Sequence, residues 1–273
     1  MEILNRTLYS RLLCDISESE IMAYQQALFE AHSPAYANRN LFIIKQVFKT
    51  GMVEGALFED PAEKVAYLSE KQHERNKFIF PEQITALIEA SQKLRAKYYM
   101  PSLIYLGAEH GASRQEALSL RWKDVNFDFD GVGLIRLFRN KNKKERTEFL
   151  MPRTRQALFE WKHHQKWMRH RHRVKFNYED TTLVFGHLDG RPRKRFDRAW
   201  RKICEIVGLE DFHYHDLRHT FSSNLLLSGS NLKDVKEMIG HNDLAMTDRY
   251  SHLADSHKRK LQENLAKHYL GYK

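Results

Sequence analysis

One island of two-residue periodicity sits in a chain whose apolar side chains otherwise recur at helical spacing, and that contrast narrows the possible folds most. The island runs from Asn126 to Met151. Within it Asn126–Asp130 (NFDFD) alternates, Val132–Phe138 (VGLIRLF) is rich in β-formers, and Thr147–Met151 (TEFLM) reads as a further short strand. Between the last two lies Arg139–Arg146 (RNKNKKER), a basic hairpin tip or loop. Strands this short and this close in sequence make a small antiparallel sheet inside a mainly α protein. A lesser interruption, Thr181–Arg191, reads as a short strand followed by a glycine-containing turn.

The helical remainder falls into two blocks. In Ile16–His32 the residues Ile21, Met22, Tyr24, Ala27, Leu28 and Phe29 keep helical spacing, and Ser33-Pro34 breaks the run. Asn38–Gly55 carries a second stripe in Leu41, Ile44, Val47, Phe48 and Met52, and Asp60-Pro61 closes the block. Ser69–Lys77 (SEKQHERNK) is polar and charged, as linkers are. Pro81 then opens helices expected at about 82–96, 100–110 and 113–121. At 273 residues the chain has room for two domains. The expected division is an all-α domain over 1–72, a linker over 73–80, and an α+β domain with a small antiparallel sheet over 81–273.

Lys and Arg outnumber Asp and Glu by 45 to 35, a formal charge of +10 that suits a polyanionic partner. Cys14 and Cys204, far apart and without a Cys-x-x-Cys neighbour, argue against a disulfide framework and for a reducing compartment. No apolar run is long enough to span a bilayer, and the start carries no secretory pattern, so no membrane association is expected. His163, His164, His170 and His172 lie in the basic stretch Trp161–Lys175 without acidic or cysteine co-ligands, which reads as a solvated or DNA-facing surface rather than a metal site.

Chemistry concentrates in His213–Leu253. His215-Asp216-Leu217-Arg218-His219 opens a helix on which His215 and Arg218, three apart, share a face. Gly229 ends that helix, and Ser230 is a plausible N-cap for Leu232–Ile239. Gly240-His241 forms a tight corner, and a short helix capped by Asn242 or Asp243 delivers Tyr250. Together H-x-L-R-H at 215–219, I-G-H at 239–241 and a tyrosine nine residues beyond that histidine resemble the signature of the tyrosine recombinase, or phage integrase, family. Upstream, Gly107–Asp124 resembles that family's first arginine box, Asn140–Pro152 its lysine-bearing hairpin, and Asn38–Ala62 its core-binding domain.

The resemblance implies a site-specific recombinase that cleaves and rejoins DNA. Tyr250 attacks a backbone phosphate, a 3′-phosphotyrosine forms, and a 5′-hydroxyl of the partner duplex then attacks it. A phenol with a pKa of about 10 is scarcely ionised at neutral pH, and the attack adds charge to oxygens already carrying one. Guanidinium forks placed where charge develops answer the second difficulty. The resemblance assigns that clamp to Arg218 with Arg114 or its neighbourhood, and a further phosphate hydrogen bond to His241. His215 becomes the general base or proton manager, since an imidazole titrating at about 6.5 works in either direction. Lys141, in the run K-x-x-K-E-R, is the candidate acid for the leaving 5′-oxygen, with Lys143 and Lys144 as competitors. The phosphotyrosine conserves the phosphodiester energy, so no cofactor, metal or ATP is implied; neither a P-loop nor a two-metal carboxylate cluster is present.

The chain departs from the family at one place. The usual G-x-R-x-x-E reads Gly111-Ala112-Ser113-Arg114-Gln115-Glu116, so Ser113 stands where the arginine belongs. Either the role has moved by one residue to Arg114, about 100° around a helix, or the arginine has been replaced. Glu116 and Asp124 read as braces for the arginine and caps, and His219 as structural. Arg191, Arg193, Lys194, Arg195 and Arg198 are expected on the DNA backbone, which positions a protein without specifying sequence. Leu261, Leu265 and Tyr269 form a narrow apolar stripe that either folds onto its own domain or is exchanged between protomers. The expected partners are double-stranded DNA and, once synapsed, three further copies in a tetramer; the free protein is a monomer or weak oligomer. The expected setting is the bacterial or phage-infected cytoplasm, at the nucleoid. The first domain is expected to start abruptly, without the arm-binding module many integrases carry, as in a simpler recombinase or in a trimmed piece of a longer one. Two other readings share these motifs: a type IB topoisomerase-like enzyme, and a non-catalytic DNA-binding relative favoured by Ser113.

Overall fold

The computed structural model describes residues 11–70, 77–139, 144–174, 182–240, 265–266 and 269–270, with the side chains of Arg139 and Lys144 left out. It is mainly helical and divides into two compact units, Met1–Arg75 and Asn76–Lys273.

In the first unit, α1 (Glu18–Ala31) starts at a capping box. Ser17 accepts from the Glu20 amide, and the Glu20 carboxylate takes the Ser17 N–H at 2.9 Å. Ser33-Pro34 does more than end that helix. Ser33 caps α2 (Pro34–Val53), and Pro34 fills its first turn, where a missing N–H costs nothing. Ile21, Leu41 and Phe48 pack with Ile16, Ala62 and Val65, while Tyr24, Leu28 and Ala37 form a neighbouring cluster. Each of the larger aliphatic and phenylalanine side chains among them contributes about 1.5–3 kcal/mol on burial. The extended segment after Ala62 is held by side-chain amides: Asn38 donates to the Leu68 carbonyl at 2.9 Å and accepts its N–H at 2.8 Å, and Gln25 donates to Ala66 at 3.0 Å.

The second unit begins with α3 (Pro81–Gln92), α4 (Met100–His110) and the short α5 (Arg114–Ser119). A three-stranded antiparallel sheet follows in the order β1 (Val125–Asn126), β2 (Leu134–Arg139), β3 (Lys144–Phe149). Four further helices follow: α6 (Pro152–Arg171), α7 (Asp197–Val207), α8 (Asp216–Ser228) and α9 (Leu232–Ile239).

Three local expectations are corrected. Strand β3 starts at Lys144, not Thr147, so part of the expected basic loop is paired strand. In the expected strand and turn over Thr181–Arg191, the described residues 182–191 provide only an isolated bridge, Arg121 to Leu183, followed by turns. Asn231 rather than Ser230 caps α9, its side chain accepting from the Lys233 and Asp234 amides at 2.9 Å each.

Helices α4 and α8 form the centre of the unit, and both are buried around nearly their whole circumference. The Tyr214 hydroxyl donates to the Leu103 carbonyl of α4 at 2.8 Å, tying in the chain just before α8. Trp161 of α6 donates to Val184 at 2.7 Å, and Trp122 donates to Gln165 at 3.0 Å. In the hairpin Ile135 pairs with Glu148 and Leu137 with Arg146. One face of the sheet therefore carries two apolar residues on β2 and two charged ones on β3. Among the described residues no helix is long and apolar enough to cross a membrane.

Candidate functional site

Arg218 enters α8 at its third residue and is buried to 5% exposure, which for an ionised side chain requires partners. Nη1 donates to the Gly111 carbonyl at 2.7 Å and to Glu116 Oε2 at 3.3 Å, and Nη2 donates to the Ile239 carbonyl. The arginine thus joins the end of α4, the start of α5 and the end of α9. Gly111 makes this convergence possible. Its φ of +57° turns the chain sharply after α4, and a Cβ there would lie 2.7 Å from Phe221 Cδ1 and 3.3 Å from Ile239 Cγ2.

Glu116 is the hub. It closes a capping box with Ser113, accepting that residue's N–H on Oε2 at 2.7 Å while its own amide donates to Ser113 Oγ at 3.3 Å. Oε2 therefore meets both Ser113 and Arg218, and Oε1 faces Arg146 Nη1 at 3.9 Å. Burial alone would raise this carboxyl, but Arg146 and Arg218 beside it, with the Ser113 bonds, outweigh burial and hold it below the ordinary carboxylate value. Glu116 braces Arg218 rather than the arginine of its own box, Arg114, which turns to Asp197.

Arg146 continues the network from β3. Nε donates to Glu148 Oε1 at 2.8 Å and Nη2 to the His110 carbonyl at 2.6 Å. Glu148 Oε2 lies 2.8 Å from His110 Nδ1. Arg218, Glu116, Arg146 and Glu148 so form one buried chain of alternating charge across α8, α5 and β3, which ends on His110 of α4. Sequence reasoning passed over Arg146, Glu148 and His110. The available signal was the even spacing of 146 and 148, which a strand turns to one side.

The other site expectations fall as follows. His215, at the start of α8, is exposed, and its ring stands edge-on to that of buried His219 at 5.4 Å. Arg114 leads α5 but turns to Asp197 (2.7 and 3.0 Å) and the Lys194 carbonyl (3.1 Å), with its guanidinium 5.1 Å over the Phe196 ring. Asp124 accepts two bonds from Arg136. Lys194 and Arg195 are exposed, and Arg193 lies over the Tyr99 ring at 4.4 Å. His164 stacks on Tyr98 at 3.5 Å, and burial with nearby Lys97 lowers its pKa. Tyr250, His241, Lys141 and Lys143 lie outside the described residues, as does the side chain of Lys144. Among the described residues no group of His, Cys, Asp and Glu is placed to hold a metal ion.

The chain matches the family model described as the phage integrase family over residues 77–257. A tyrosine recombinase of Pseudothermotoga lettingae is 29% identical over 183 residues, 66% of this chain and 58% of that protein. The tyrosine recombinase XerD of Rhizobium meliloti is 27% identical over 272 residues, 92% of this chain and 81% of that one. Among solved structures, the XerH site-specific recombinase bound to its palindromic difH substrate superposes with a TM-score of 0.73 at 19% identity, covering 97% of this chain and 75% of that one. The Tn1549 transposon integrase in complex with transposon right end DNA gives a TM-score of 0.68 at 18% identity, covering 97% and 90%. At these identities the two structures speak for the fold.

Proposed function

We propose that this chain, which belongs to the phage integrase family, is a site-specific DNA recombinase that cleaves and rejoins duplex DNA through a phosphotyrosine at Tyr250. The observation that carries the reading is the bond from Arg218 to the Ile239 carbonyl. It ties the buried arginine to Ile239, which in the sequence stands two residues before His241 and eleven before Tyr250.

Arg218 clamps the non-bridging oxygens of the scissile phosphate, His241 adds a hydrogen bond, and His215 manages the tyrosine proton. The Tyr250 oxygen forms the new bond to phosphorus. The bond to the 5′-oxygen breaks, and Lys141 protonates the leaving alkoxide, Lys143 and Lys144 standing beside it as alternatives. The reverse attack by a 5′-hydroxyl restores the phosphodiester, so the cycle needs neither ATP nor metal. Arg193, Lys194 and Arg195 bind the DNA backbone. On DNA the active species is a tetramer assembled through C-terminal tails, whose described apolar residues Leu265 and Tyr269 are 50% and 70% exposed. The setting is the bacterial cytoplasm.

The test is recovery of protein–DNA adducts after incubation with genomic DNA, followed by mapping of the junction. Wild type should yield a 3′-phosphotyrosyl adduct at Tyr250, and Tyr250→Phe none; an adduct that survives this substitution would sink the reading. A second reading, a non-catalytic DNA-binding relative, draws on the engagement of Arg114 by Asp197 and requires that wild type form no adduct.

A further inference from the structure

Two guanidinium groups meet one carboxylate: Arg218 on Glu116 Oε2 at 3.3 Å and Arg146 facing Oε1 at 3.9 Å. Among the described residues two bonds hold Arg146. Its Nε is fixed by Glu148 and its Nη2 by the His110 carbonyl, which lock the plane of the fork. Among the described residues buried Nη1 has no hydrogen-bond partner, the Glu116 oxygen lying beyond hydrogen-bonding distance. A buried cationic donor left without an acceptor is disfavoured unless an acceptor arrives, so such a group calls for a ligand. The arriving acceptor must be anionic and must sit where Arg218 is also at hand. A phosphate undergoing attack fits, because its non-bridging oxygens gain charge and each takes a guanidinium N–H.

We propose that Arg146 is the second guanidinium of the phosphate clamp, donating from Nη1 to a non-bridging oxygen of the scissile phosphate beside Arg218. The assignment rests on the recombinase reading. It also explains how the chain manages with Ser113 in its arginine box while Arg114 is bound to Asp197. Arg146 forms and breaks no covalent bond. The tyrosine oxygen bonds to phosphorus, the bond to the 5′-oxygen breaks, and the guanidinium matches the added charge. Ser113 and Arg146 meet at the same carboxylate, so a cation reaching the site from β3 takes over what the start of α5 lacks.

The experiment uses the mapped junction in a nicked duplex, with either a phosphate or a methylphosphonate at the scissile position. The methylphosphonate is uncharged, so it removes the need for one guanidinium while leaving the protein unaltered. Arg146→Gln should slow covalent-complex formation by roughly 100-fold on the phosphate and regain most of that loss on the methylphosphonate. Arg146→Lys, which keeps a cation beside Glu148, carries the same comparison if the glutamine variant does not fold. An equal loss on both substrates would mean a purely structural role and overturn the assignment. So would undiminished cleavage, or loss and recovery shown by Arg114→Ala instead. A wild-type protein that forms no adduct on any DNA fails the recombinase reading first, and Arg146 falls with it.

Discussion

Arg114 grips Asp197 with both prongs of its fork, Nη1 on Oδ1 at 2.7 Å and Nη2 on Oδ2 at 3.0 Å. The pair ties the start of α5 to the start of α7 across 83 positions of sequence. Binding a phosphate elsewhere would require the guanidinium to release two charge-assisted bonds and the Phe196 ring.

Arg114→Ala should therefore act mainly on stability, and modestly. The two side chains are 38% and 47% exposed, so solvent screening holds the pair to about 0–1 kcal/mol, with up to about 1 kcal/mol more from the ring contact. Bonding to Arg114 keeps the Asp197 carboxyl below its ordinary value. A depressed carboxylate stabilises above its unfolded pKa and loses that contribution as pH falls through the folded value. Urea midpoints of wild type, both single alanine variants and the double variant should show coupling at neutral pH that fades in acid and in high salt. Coupling that grows in acid would contradict the assignment.

Glu116→Gln should be far more damaging. Its side chain is 3% exposed, and removing its charge leaves Arg218 and Arg146 buried without their shared anion, a loss of about 3–5 kcal/mol for a broken buried pair. Burial pushes this carboxyl up, but the two arginines prevail and the folded pKa is lowered, so its contribution is present near neutrality and lost as pH falls through the folded value. The gap between wild type and variant, read from urea denaturation, should close toward acid pH. A variant as stable as wild type at neutral pH would remove Glu116 from the centre of the network.

Gly111→Ala combines a strained backbone with a collision. Gly208 offers the control: its φ of +75° is also positive, but a Cβ there meets nothing within 4 Å. Gly208→Ala should lose only the backbone part, of order 1–3 kcal/mol. Gly111→Ala should lose more, and should also slow adduct formation because the Gly111 carbonyl positions Arg218. Equal melting shifts for the two would show that the Phe221 contact is relieved without cost.

The two thiols should separate cleanly under a disulfide reagent. Cys14 is exposed, whereas Cys204 lies 3.6 Å from the Phe212 carbonyl and is pushed up to about 12, by burial first and by Asp216 second. At about pH 8 only a thiolate reacts, so native protein should titrate one fast thiol and urea-unfolded protein two. The Cys14→Ser variant should show none until unfolded. A fast second thiol in the native state would contradict the packing of α7.

Much of the fold was legible because helices announce themselves locally. Residues 100–110 were read as a helix and are one, and Ser33-Pro34 marked a boundary. The third strand begins earlier than the sequence suggests because Arg146, charged yet facing inward, reads as part of the basic loop until its partners are known. Those partners, His110 and Glu116, lie 36 and 30 positions upstream, and no local pattern reports pairing at that range. For the same reason Arg114 looked like a phosphate ligand from its neighbours in sequence, while Asp197, which holds it, stood in another helix.

The ladder that sets Leu137 opposite Arg146 and Ile135 opposite Glu148 makes residue count on β3 a matter of parity. Losing or gaining one residue inside the strand would rotate Glu145 and Thr147 inward and send both charges of the network to solvent, whereas a change of two would preserve the facing. The hairpin tip is under no such rule, since residues added between Arg139 and Lys144 leave the paired rungs as they are. A change in the tip would therefore spare the rungs and act through the placement of Lys141, whereas an odd-length change within β3 would dismantle the centre behind Arg218 without altering a single one of its side chains.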